Sequence, residues 1–194
     1  MATAFVLVGW AYLPEVFRVD QASVWWQVAL VAAVLIQLII MGILAVYDAK
    51  WGELPVFLLV TDVLMGCAVL AIREIILVRG GGDLAEGLVS AGIGVLILAG
   101  TCFLIYKLSG ERLMGGGDWW LALAMALSLA NWWLALWALF LANLLGDVIM
   151  MPSVIKNHKT RLYFGPFLVA AFVLVMVLGN CLPTLLIWGA GVGF

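Results

Sequence analysis

Long apolar runs separated by short polar breaks dominate the chain. Residues 24–47 contain no charged side chain, residues 55–78 are broken only by Asp62, Arg73 and Glu74, and residues 88–106 are again uncharged. Each is close to the roughly 20 apolar residues that a helix needs to cross a hydrocarbon core about 30 Å thick. The pattern predicts three transmembrane helices here and a sixth over residues 162–178, with Pro183 breaking the apolar tail. Glycines at Gly80–Gly82 and Gly115–Gly117 mark two loops.

The uncharged block 119–146 is long for one helix and short for two. Charge decides between them. If the loop at 48–54 is cytoplasmic, Lys107 and Arg112, two spans later, are cytoplasmic too. Two helices in the block keep Lys156, Lys159 and Arg161 on that side, whereas one helix throws them outside. The preference for basic residues in cytoplasmic loops favours two, with Asn131 as the turn between them. The first, residues 119–130, then reaches only about 18 Å. It starts below the membrane surface, and Asp118 at its head is expected on the floor of a polar recess. The expected architecture is all-α and polytopic, with about six transmembrane helices.

Composition agrees. Of 194 residues, 67% are hydrophobic and 10% charged, against about 45–50% and about 25% in soluble domains. The net charge of −2 and the lack of a basic block exclude a nucleic-acid partner and leave the lipid bilayer as the expected surround. Residues 1–23 form a short apolar segment, too short to span and without the basic start of a signal peptide; it is expected to lie at the interface or to fray, ahead of a membrane domain over 24–194. Cys67, Cys102 and Cys181 form no CxxC pair, and His158 stands alone in a basic loop, so neither a metal site nor a cofactor is expected. Paired tryptophans at Trp25–Trp26, Trp119–Trp120 and Trp132–Trp133 fall at predicted span ends and read as interfacial anchors.

Carboxylates inside a membrane domain are costly and are functional candidates. Asp62 and Asp147 lie within helices, where a buried polar contact, a solvated helix end or proton coupling in a small transporter are the readings. Asp48 and Asp118 differ, because the topology brings both to one membrane face, each at a helix end beside a loop. Two converging carboxyls can hydrolyse a peptide, one ionised to activate water and one protonated to polarise the carbonyl. Helix-end residues in the headgroup layer are the alternative. The Gly115–Gly117 triplet would let a substrate strand approach its backbone, with positive φ open to it. Residues 109–117 are expected to be mobile, and the two carboxyls to stand apart without substrate.

Gly115-Gly116-Gly117-Asp118 resembles the GxGD motif of intramembrane aspartyl proteases. Asp48-Ala49-Lys50-Trp51-Gly52-Glu53-Leu54-Pro55 resembles the first-aspartate motif of prepilin peptidases, and Phe164-Gly165-Pro166-Phe167 the segment that opens their last helix. The three motifs occur in order from Asp48 to about Leu178. The resemblance implies a GxGD-type fold, Asp48 and Asp118 as the catalytic pair, and Gly115, Gly116, Gly117, Lys50 and Pro55 as substrate contacts. It further implies an endopeptidase in the cytoplasmic (inner) membrane, with its site facing the cytoplasm. Its substrates would be pilin-like or flagellin-like precursors, cleaved after a short basic leader. The chain departs from the family at Trp120, where lysine is usual, and at Val56, where asparagine is usual. It lacks the cysteine-bearing insert of the large N-methylating members and so resembles the short, peptidase-only forms. Tyr47-Asp48 also fits presenilin-like proteases, whose Pro-Ala-Leu motif is missing. A catalytically silent scaffold or assembly factor of the same fold is the alternative function.

Overall fold

A computed structural model describes residues 24–52, 54–109, 114–157 and 164–178. Among these residues all regular structure is helical: α1 (Val24–Trp51), α2 (Val56–Arg79), α3 (Leu84–Ser109), α4 (Asp118–Leu129), α5 (Trp132–Asn157) and α6 (Gly165–Leu178). Four segments have the length and apolarity to cross a bilayer: Trp25–Trp51, Val56–Arg79, Leu84–Ser109 and Trp132–Ile149. The chain is thus a helical membrane protein. Helices α4 and α6 are apolar but shorter. The N-terminal segment, His158 and the basic residues Lys159 and Arg161, and Cys181 lie outside the described residues.

The ambiguous block does divide where its residues suggest. Helix α4 ends at Ala130, whose left-handed φ of 45° stops the helix while its N–H still donates to the Ala126 carbonyl. Asn131 then caps α5: its side-chain oxygen accepts from the N–H groups of Trp133 (2.8 Å) and Leu134 (3.3 Å). Helix α5 continues through Pro152 to Asn157. Pro55 opens α2 with φ −66°, and Asp83 caps α3, accepting from the Ala85 N–H at 2.9 Å. Helix α3 carries one π turn over Leu96–Gly100. The Arg79 guanidinium at the end of α2 sits over the Trp26 ring at the start of α1, 5.0 Å from its centroid, as an antiparallel hairpin requires.

The centre of the bundle is α4. Leu121, Ala122, Ala124, Met125, Ala126, Ser128 and Leu129 are all buried, and the helix packs against α2, α3, α5 and α6. Small side chains permit this. Ala122, Ala124 and Ala126 let neighbours approach closely, as in other membrane helix packings. Gly66 on α2 lies backbone to backbone against α4: a Cβ there would stand 2.7 Å from the Ala124 carbonyl oxygen. The lower end of α4 is met by protein rather than water, since the Arg73 guanidinium donates to the Leu129 carbonyl at 2.9 Å.

Gly66→Val is expected to destabilise the protein by about 1–3 kcal/mol, the usual cost of overpacking a filled interior. Gly42→Val on α1, where a Cβ would meet nothing within 4 Å, is the control. Unfolding midpoints in detergent, followed by tryptophan fluorescence, should fall for the first and hold for the second.

Candidate active site

Asp48 occupies the last turn of α1. Gly52, at φ 66°, turns the chain out of the helix, and its N–H donates to the Asp48 carbonyl at 2.9 Å. The Asp48 side chain is 5% exposed. Its Oδ2 accepts a hydrogen bond from the Gly165 N–H, 3.0 Å away. Gly165 is the first residue of α6, so this amide is one that the helix cannot satisfy internally, at an end whose dipole favours an anion. Only glycine fits: a Cβ on residue 165 would lie 2.7 Å from that same oxygen.

Asp118 is the first residue of α4 and is 2% exposed. Its Oδ2 accepts from the Gly115 N–H at 3.0 Å, while its own N–H donates back to the Gly115 carbonyl at 3.2 Å. The 115–118 turn is thereby closed by a reciprocal pair. Asp118 Oδ1 is buried with no hydrogen-bond partner. Asp48 is near enough for its charge to act on Asp118, and Asp118 near enough to act on Cys102 of α3. The topology therefore brings Asp48 and Asp118 into one electrostatic neighbourhood. Each has one oxygen, Oδ2, tethered by a glycine amide.

The glycine triplet serves packing rather than unusual torsions. None of Gly115, Gly116 and Gly117 has positive φ, so the left-handed freedom expected of them is not used. Gly117 is needed for close approach, since a Cβ there would stand 2.6 Å from Leu54 Cδ1. This contact joins the loop after Asp48 to the turn before Asp118. A Cβ on Gly116 would meet the Tyr106 ring at 3.5 Å. Gly115 and Gly116 themselves are exposed. Residues 110–113, most of the stretch expected to be mobile, lie outside the described residues.

Pro55 is half-buried at the head of α2, on the same loop as Leu54. Lys50 is exposed, its ammonium 4.6 Å from the Trp51 ring centroid, and it touches neither carboxyl. Trp120, in place of a lysine, stacks with Trp119 at 4.5 Å between centroids. Asp147 is exposed on α5, whereas Asp62 is fully buried in α2, away from any loop. No cluster of three or more His, Cys, Asp or Glu able to hold a metal exists among the described residues. Sequence reasoning missed Gly165 and Cys102 as neighbours of the pair. The Phe164-Gly165-Pro166 motif signalled the first, and nothing in the sequence signalled the second.

Gly165→Ala is expected to lower stability by about 1–3 kcal/mol, because the new methyl must displace a carboxylate rather than a flexible apolar chain. Gly115→Ala, whose Cβ would sit at an ordinary 3.5 Å from Asp118 Oδ2, is expected to be tolerated. Equal unfolding midpoints for the two variants would show that Asp48 is not held as described. Compared with family models, curated proteins and solved structures, the chain matches none of them.

Proposed function

We propose that the protein is a membrane-embedded aspartyl endopeptidase. In this reading it removes the short basic leader from prepilin-like or preflagellin-like precursors, without N-methyltransferase activity. One observation carries the proposal: Asp48 and Asp118, remote in sequence, are both buried, electrostatically coupled, and each anchored through Oδ2 alone. A purely structural carboxyl in lipid would be expected to have both oxygens satisfied, since the burial of unpaired polar groups is costly.

The chemistry needs nothing beyond the two side chains and one water. An ionised carboxylate takes a proton from the water as its oxygen attacks the scissile carbonyl carbon. The second, protonated carboxyl donates to the carbonyl oxygen. The tetrahedral intermediate then breaks its C–N bond as the amine leaves with a proton from the first carboxyl and the second carboxylate takes back the proton from the former carbonyl oxygen, giving a free acid, a free amine and the original dyad. The backbone amides of Gly165 and Gly115 hold the carboxyls in place during the exchange. A helical substrate hides its peptide bonds in its own ladder, so the leader must be drawn out. The exposed Gly116 peptide beside the pair is the proposed contact for it, with Pro55 at the head of α2 and Lys50 at the end of α1 as further contacts. Six membrane crossings, with this face toward the cytoplasm, belong to the same proposal. A silent scaffold of the same fold is the alternative, motivated by Trp120 and Val56.

Incubation of purified protein with a precursor bearing a basic leader and an apolar helix tests the reading. Asp48→Asn and Asp118→Asn should each reduce cleavage by at least about 100-fold, the lower range for loss of an acid–base group, while unfolding midpoints stay close to the parent's. Cleavage should persist in excess chelator. Undiminished cleavage in either single variant rules out the pair, and loss on chelation with recovery on zinc replaces it with a metal mechanism.

A further inference from the structure

A second polar cluster lies deep in the bundle, on residues that the proposed hydrolysis does not use. Asp62 of α2, Gln37 of α1 and Ser128 of α4 are each 0% exposed. Ser128 Oγ lies 2.7 Å from Gln37 Oε1 and 2.8 Å from the Ala124 carbonyl oxygen, and Gln37 Nε2 donates to that carbonyl at 3.3 Å. The Gln37 amide also lies beside the Asp62 carboxyl. As the side chains stand, however, neither Asp62 oxygen has a hydrogen bond of sound geometry.

The cluster is rich in acceptors and poor in donors. Ser128 brings one hydrogen and Gln37 two. The acceptors are two Asp62 oxygens, Gln37 Oε1, Ser128 Oγ and the Ala124 carbonyl, which already accepts within its own helix. The single Ser128 hydrogen is pulled toward two oxygens at once. No cationic side chain reaches Asp62 among the described residues. Arg73, the only basic residue in the interior of the same helix, is eleven residues away, about 16 Å along the axis, and is occupied by the Leu129 carbonyl. A hard cation, bound in place of the proton that a carboxyl so buried otherwise keeps, gathers the surplus oxygens and balances the charge. With one carboxylate present, a single positive charge gives neutrality and a divalent ion does not. Carbonyl, amide and hydroxyl oxygens around one carboxylate are suitable donors for such an ion.

We propose that Asp62, Gln37 Oε1, Ser128 Oγ and the Ala124 carbonyl form an intramembrane binding site for a small monovalent cation, with sodium as the probe. The site clamps α1, α2 and α4 together, so occupancy stabilises the folded bundle by mass action. Gly66, one turn after Asp62, is what lets α2 come close enough to Ala124 for a shared ion.

The test is the unfolding midpoint of purified protein in detergent, titrated with NaCl against choline chloride at constant ionic strength. The midpoint of the parent protein should rise saturably with sodium. Asp62→Asn should abolish the rise. Ser128→Ala and Gln37→Leu should each require roughly tenfold more sodium for half the effect, equivalent to losing one ligand contact of about 1.4 kcal/mol. Asp118→Asn should respond like the parent. If Asp62→Asn does not fold, the Ser128→Ala and Gln37→Leu titrations decide alone. Identical midpoints of the parent protein in sodium and choline overturn the proposal, as does a full sodium response in Asp62→Asn. Loss of the response only in Asp118→Asn would also overturn it, placing the ion at the other carboxyl pair.

Discussion

A helix of twelve residues reaches about 18 Å, well short of the hydrocarbon core, and α4 is such a helix. Its polar ends cannot project into water on both faces, so other parts of the chain must satisfy them inside the bundle. At one end the Gly115 turn closes on Asp118; at the other, Arg73 reaches across from α2 to the Leu129 carbonyl. Between those ends most side chains are buried, and the alanines at 122, 124 and 126 admit the neighbouring backbones. The burial of Asp118, the close approach of α2 at Gly66, and the convergence of α1 and α6 near Asp48 all stem from accommodating this one short element.

Three buried aspartates surround α4, in two different settings. Asp48 and Asp118 stand at helix ends where unused backbone N–H groups are at hand, and each takes one. Such charge-assisted bonds lower the cost of keeping a carboxyl away from water. Asp62 stands in mid-helix, where every neighbouring N–H is already committed to the α-helical ladder, and the Gln37 amide of α1 lies beside it. Backbone geometry alone therefore separates a pair tethered by helix-end amides from a lone carboxyl whose oxygens find no such donor.

Much of the architecture was legible because lipid imposes one rule on the whole chain. The helix at 24–51 and the helix at 56–79 declare themselves by uninterrupted apolar length, and Asn131 declares a break because its side chain caps the start of α5. Asp48 and Asp118 were legible as candidates because each stands where an apolar run meets a loop. The contacts made around them were not. Gln37 and Ser128 are 91 residues apart, and nothing in either local segment announces the other. The sequence marks Gly117 as a place for close approach, but it does not show the Leu54 side chain that fills the space of the missing Cβ. Lys50, assigned to the substrate by its place in a motif, lies against its neighbour Trp51.

The π turn at Leu96–Gly100 bears on how this bundle could diversify. Such a turn is what a single inserted residue leaves in an α-helix, and one residue corresponds to about 100° of rotation. Everything after it, Thr101–Ser109, is turned by that angle relative to the first half of α3. Cys102 faces Asp118, and Tyr106 reaches Gly116, because of that offset. A lineage that lost one residue between 96 and 100 would keep its hydropathy profile, its length within one residue and both aspartates. It would nevertheless present a different stripe of α3 to them. The chemical surroundings of the pair can thus be exchanged wholesale by an insertion or deletion of one codon, a step that no comparison of substitutions at 48 or 118 would register.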